Sequence, residues 1–233
     1  MAKHEKVMVT DHIVEIRHGA IGEFLDLRGS VADYVRGNHF LPHWQIEPNH
    51  VSFRDTEGKS EKEGAFAGYK SFGYFTYNPP TKDFFQDRAL VFIRLLLKNQ
   101  SYSISGLTRF GCRSKVFVPT DGDFESINKP LNEKFLSGNL REIVGKRETD
   151  LQLVLEYKEK AFGGRLILGP MHKDEMKTRV NFESEHFSKV GLFMDIDYFM
   201  DGDIDATKLE STLKEGMSLT WEKVDGITRK LGI

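Results

Sequence analysis

The residues best suited to chemistry fall on two short segments of opposite charge. In Thr108-Arg109-Phe110-Gly111-Cys112-Arg113-Ser114-Lys115-Val116, the two-residue period of a strand puts Arg109, Arg113 and Lys115 on one face and Phe110, Cys112 and Val116 on the other. Guanidinium groups in such a stripe suit bidentate binding of a phosphate-bearing ligand or a nucleic-acid backbone. The second segment, Met194-Asp195-Ile196-Asp197-Tyr198, projects Asp195 and Asp197 from one face of another strand. Carboxylates so placed can hold Mg²⁺ for phosphoryl transfer or hydrolysis, because a hard cation takes oxygen ligands. The competing reading is structural: if the two strands are neighbours, the arginines pair with the aspartates across the sheet. From sequence, the salt-bridged sheet is favoured.

Other candidates are weaker in pattern. Asp201, Asp203 and Asp205 start like a calcium loop, but Ala206 stands where the turn glycine belongs and Thr212 where the bidentate glutamate belongs. They read instead as a turn and the capped start of the last helix. His39, His43 and His50 cluster, yet Pro42 argues against a helix that would align the first two as metal ligands. Cys112 falls on the apolar face of its strand, which suits a small core residue better than a nucleophile. No Walker loop, dinucleotide fingerprint, nucleophile elbow or His-Glu-x-x-His motif occurs, and residues 183–191 lack the Gly-Ser turn of a nucleotidyl transferase.

Composition bounds the classes. The 233 residues are 39% hydrophobic and 29% charged, with 18 Phe, so the chain can bury a core. A net charge of −2 supplies no global field for nucleic acid or anionic membrane, and any such partner needs a local patch. One patch exists: residues 94–147 hold ten Lys or Arg against five Asp or Glu. A single cysteine excludes an internal disulfide and fits a reducing, cytoplasmic setting. The first twenty residues show no signal-peptide pattern, and the run Ala89 to Leu97 is too short to span a bilayer, so a soluble chain is expected.

The elements that must position these groups follow from periodicity. Residues 7–17 read as one or two strands, Ser30 to Arg36 as helix, Asp55 to Gly64 as an exposed hairpin loop, and Phe66 to Tyr77 as a strand stopped by Asn78-Pro79-Pro80. Phe85, Ala89, Phe92 and Leu96 form an apolar stripe that predicts a helix over 83–99, with Asp83 and Gln86 as a variant capping box. A strand with a glycine bulge is expected over 102–118, and a short helix over Pro130 to Phe135 with proline in its first turn. A hairpin joins Leu151 to Tyr157 with Arg165 to Leu168, and a strand runs from Val190 to Phe199. Leu209, Leu213, Met217, Trp221 and Val224 mark a C-terminal helix over 206–231 that Gly216 or Gly226 can break. No fixed-period repeat is visible. The order predicts an α+β fold, a largely antiparallel sheet packed by the central and C-terminal helices, as one domain or two packed halves meeting near 119–150.

Val14-Glu15-Ile16-Arg17, the segment from Phe75 to Leu97, Thr108 to Arg113, Asp195-Ile196-Asp197 and the closing Trp221 to Leu231 together resemble a sporadically distributed bacterial family of uncharacterised proteins. The resemblance spans most of the chain and implies fold order and bacterial origin, with no activity attached. Ser114-Lys115-Val116 departs from it, since an aromatic residue and an asparagine would be typical there. The expected function is a cytoplasmic binding or accessory module that engages an anionic ligand, a protein or a nucleic-acid backbone through Arg109, Arg113 and Lys115, with an oligomer allowed and no membrane partner. The alternative is a Mg²⁺-dependent phosphoryl-transfer or hydrolytic enzyme with Asp195 and Asp197 as metal ligands.

Overall fold

The computed structural model describes residues 8–233 other than 59–60, 145–149 and 181–186. Nine strands form one antiparallel sheet: β1 (Val9–His18), β2 (His43–Ile46), β3 (His50–Arg54), β4 (Glu63–Gly68), β5 (Ser71–Tyr77), β6 (Leu107–Thr120), β7 (Leu153–Glu159), β8 (Phe162–His172) and β9 (Val190–Ile204). Across the sheet they run β2-β3-β4-β5-β1-β6-β9-β8-β7. The helices are α1 (Phe24–Gly37), α2 (Phe84–Leu97), α3 (Glu125–Phe135), α4 (Gly138–Val144), α5 (Lys173–Arg179) and α6 (Leu209–Leu231). The α+β class, the antiparallel pairing and the long C-terminal helix are all as expected from the sequence. Among the described residues no helix is long and apolar enough to cross a membrane.

Strand alternation decides which face is buried. Val14 and Ile16 of β1, Phe72 and Tyr74 of β5, Phe110, Cys112 and Val116 of β6, and Met194 and Ile196 of β9 point into one core. On it sit α1 against β2 and β3, α2 against β5, and α6 against β6 and β9. The stripe Phe85, Ala89, Phe92 and Leu96 is fully buried, as its spacing predicts. Gly216 and Gly226 do not break α6. A Cβ at Gly216 would come 3.7 Å from that of Cys112, an ordinary packing distance, so the glycine faces β6 without being required there. Gly232 at φ 78° ends the helix in the left-handed conformation.

On the opposite face of the sheet α5 covers one end, where Val9, Phe117, Met171, Met176 and Phe193 make a small second core. Among the described residues no other helix packs closely on that face.

An internal repeat organises the chain. In β1-α1-β2-β3-β4-β5-α2, and again in β6-α3-α4-β7-β8-α5-β9-α6, a strand leads through helix into a meander that returns to the strand's side, and a helix closes the unit. β1 and β6 lie side by side and antiparallel at the centre. The units differ in strand number and in inserted helices, which is why no sequence period is visible. The first unit ends with α2 and the second begins with β6; residues 119–150, apart from the undescribed 145–149, hold the end of β6, α3 and α4.

Several local expectations differ from the structure. The stretch Phe66 to Tyr77 is two strands, because Tyr69 and Lys70 make a tight turn between Gly68 and Ser71. Asp83 makes no side-chain cap; a backbone bond from Phe84 N–H to the Thr81 carbonyl starts α2 instead. The β6 irregularity expected over 102–118 falls at Leu107 to Arg109, just after Gly106 at φ 70°. α3 begins at Glu125, with Asp123 accepting from the Ser126 amide at 3.0 Å, so Pro130 lies inside the helix. α1 extends well before Ser30, and β2, β3, α4 and α5 add elements that periodicity does not mark.

Candidate functional site

On the face without helices, adjacent strands bring side chains into rows. One row runs Ile13, Arg113, Asp197, Arg165, Glu156 across β1, β6, β9, β8 and β7, and the next runs Asp11, Lys115, Asp195, Ile167, Val154. The basic and acidic segments are therefore neighbours. Arg113 stands opposite Asp197 but donates from Nε to Asp195 Oδ1 at 2.8 Å and from Nη2 to Oδ2 at 2.6 Å. Arg109 donates to Asp201 Oδ1 at 2.6 Å and lies 4.7 Å from the Phe199 ring centroid. Lys115 donates to the Arg179 carbonyl at the end of α5. All three cations of the basic stripe thus have partners within the fold.

Arg113, Arg165, Asp195, Asp197 and Ile167 line a niche of about 40 Å³, room for a water rather than an organic ligand. Two guanidiniums and two carboxylates leave it close to neutral. Burial pushes the Asp197 carboxyl above the usual carboxylate range, against the pull of Arg113 and Arg109. Asp195 is committed to both arms of Arg113, and among the described residues no group of three or more His, Cys, Asp and Glu is arranged to hold a metal ion.

The remaining candidates separate. Asp205 caps the 3-10 turn over Ala206–Lys208, accepting from the Thr207 amide at 2.9 Å, while Asp201 and Asp203 extend β9. His39 is exposed at the end of α1 with φ 53°, His43 lies on β2 at 3.2 Å from Glu57, and His50 lies on β3, so they form no ligand set. Cys112 is fully buried beneath α6, with its sulfur 3.5 Å from that of Met217, and desolvation pushes its thiol up to about 12.

A wider opening lies elsewhere on the same face. A cleft of about 400 Å³ lies over β3, β4 and β5, within the size range of small-ligand sites. Its floor is Phe66 and Phe75. Phe66 is in register with Gly73, and Phe75 with Gly64. A Cβ on Gly73 would fall 2.7 Å from the Phe66 ring, and one on Gly64 would fall 2.2 Å from the Phe75 ring. The rings therefore lie across the sheet over their cross-strand glycines. Ser52, opposite Phe66, is 8% exposed, and its hydroxyl has no hydrogen-bond partner among the described residues.

Basic side chains rim both ends of the cleft. Arg54 has Glu61 at 3.1 Å, which offsets its charge. At the other end are His50 and Lys70, the latter with its ammonium 5.1 Å from the Tyr69 ring centroid. Among the described residues no carboxylate forms an ion pair with His50 or Lys70. None of the cleft residues except His50 is marked by sequence reasoning. The available signal is the sequence Gly64-Ala65-Phe66 answered by Ser71-Phe72-Gly73-Tyr74-Phe75, which becomes a site only once strand register pairs each Phe with a Gly.

No protein-family model matches the chain, and neither the curated proteins nor the solved structures contain a match. The family resemblance accordingly rests on its short motifs and assigns no role to any residue.

Proposed function

We propose that the protein is an intracellular binding module for a small anionic ligand, received in the cleft over β3 to β5. The observation that carries this reading is the cleft end at His50 and Lys70, where an ammonium and an imidazole line an open volume and, among the described residues, no carboxylate is paired to them. The Arg109, Arg113 and Lys115 stripe is satisfied by Asp201, Asp195 and the Arg179 carbonyl, so an anion there would have to displace existing partners. Binding rather than covalent chemistry is favoured by the placement of the thiol, which is buried in the core on the face of the sheet opposite the cleft.

Calorimetric titration of the full chain with pyrophosphate and ribose 5-phosphate, at low and high salt, tests the reading. Binding is expected in the wild type, weakened about tenfold by Lys70→Ala with His50→Ala, and retained when Arg109, Arg113 and Lys115 are all replaced by alanine. Absence of binding in the wild type overturns the proposal. Loss confined to the Arg109, Arg113 and Lys115 variant overturns it too, and returns the anion site to β6.

A further inference from the structure

The cleft has a second property beyond its charge, and it narrows the ligand. Its floor is aromatic: Phe66 and Phe75 line the open volume, with the outer ends of their rings lying over the cross-strand glycines Gly73 and Gly64. A flat aromatic floor stacks planar heteroaromatic rings with little preference among them. Ser52, in register with Phe66, lines the cleft, and its covered hydroxyl has no hydrogen-bond partner among the described residues, so a small shift of its rotamer would offer it to a polar ring edge. The uncompensated end, with Lys70 and His50, suits an anionic group attached to that ring system.

We infer that the ligand is a planar heteroaromatic anion of mononucleotide size, with its ring on Phe66 and Phe75 and its phosphate at Lys70 and His50. This deepens the proposed function and rests on it. Three independent observations converge: a stacking floor, a buried hydroxyl awaiting a hydrogen bond, and a cationic end. Strand geometry places them at compatible spacing, since His50 and Ser52 are alternate residues on one face of β3, about 7 Å apart. Arg54, two residues further on, closes the far end, where it is paired with Glu61 at 3.1 Å.

The experiment is a set of calorimetric titrations of the full chain with AMP, adenosine and ribose 5-phosphate, repeated with Phe66→Leu and Lys70→Ala. AMP is expected to bind at least about tenfold more tightly than either fragment. Phe66→Leu should weaken AMP and adenosine about tenfold while leaving ribose 5-phosphate unchanged, and Lys70→Ala should weaken AMP and ribose 5-phosphate while leaving adenosine unchanged. GMP, CMP and UMP should bind within about tenfold of AMP, because stacking tolerates every base. Thermal melts report the folding of each variant, and Phe66→Tyr, which keeps the ring, should retain AMP binding if Phe66→Leu proves unstable. AMP binding no more tightly than ribose 5-phosphate and unaffected at Phe66 overturns this inference while the anion-binding function stands. Failure of all three ligands to bind overturns both.

Discussion

Arg113 passes over the residue opposite it and grips Asp195 with both arms, two positions along the facing strand. The side chain of Asp195 is only 8% exposed, whereas Arg113 is 47% exposed. Forked contact to a covered carboxylate exceeds the usual worth of a surface ion pair, because removing the arginine strands a desolvated charge. Asp197, the in-register partner, is instead pushed toward its neutral form by burial.

Two aspartates on one strand should therefore respond in opposite ways. Asp195→Asn and Arg113→Ala are each expected to cost roughly 1–3 kcal/mol at neutral pH, with a coupling of about 1 kcal/mol or more in a double-mutant cycle. Asp197 has a raised folded-state pKa, so its ionised form is the disfavoured one and its contribution to stability is lost as pH rises through that value. Asp197→Asn should leave stability at pH 7 unchanged or higher. Urea unfolding of the four proteins and of Asp197→Asn decides; a zero coupling, or equal losses at both aspartates, rejects the assignment.

His12 predicts an acid-sensitive core. Its Nδ1 lies 2.8 Å from the Ser114 hydroxyl, and its ring packs at 5.2 Å from Phe85 and 5.7 Å from Trp221. Burial lowers its pKa from 6.5 to about 3. Between those values the unfolded chain holds the extra proton and the folded chain does not, so stability declines as pH falls through the window, by up to about 1.4 kcal/mol per pH unit. His12→Asn should flatten that decline relative to wild type in urea melts between pH 7 and pH 4. Parallel pH dependences would show that His12 does not cause it.

The glycines of the helix-free face should not be equivalent. A Cβ at Gly73 would lie 2.4 Å from the Val14 carbonyl oxygen, which is backbone and cannot swing aside, while one at Gly111 meets nothing nearer than 3.8 Å. Gly73→Ala is expected to destabilise by about 1–3 kcal/mol, and Gly111→Ala to be neutral or slightly stabilising. Comparable denaturation midpoints for the two variants would count against the packing described for β1 and β5.

Cys112 supplies a probe of global opening. Enclosed beneath α6 with its thiol driven up to about 12, it should resist an aromatic disulfide reagent in the native protein and react fully in denaturant. Labelling rates that rise with urea in step with loss of helical signal are expected. Rapid labelling without denaturant would place the thiol at an accessible surface.

What the sequence makes legible is what depends on period alone. Phe85, Ala89, Phe92 and Leu96 announce α2, and the alternation of Asp195 with Ile196 and Asp197 announces a strand with a carboxylate face. That Arg113 reaches past Asp197 to Asp195 depends on strand register and rotamer, neither of which is local. β2 and β3 are masked by Pro42, Pro48 and a polar face left exposed at the sheet edge. The cleft is harder still, because Phe66 and Gly73 acquire meaning only as a cross-strand pair.

The central seam also governs how the chain must be made. β1 emerges early in synthesis, yet Ile13 finds its partner Arg113 only after the whole first unit has been translated. Until then β1 is the bare edge of an otherwise complete sheet, a template for any passing strand. The β6 of a neighbouring nascent chain offers the same pairing, so strand exchange across this seam is the expected form of misassembly, and slowing translation past residue 100 should favour it.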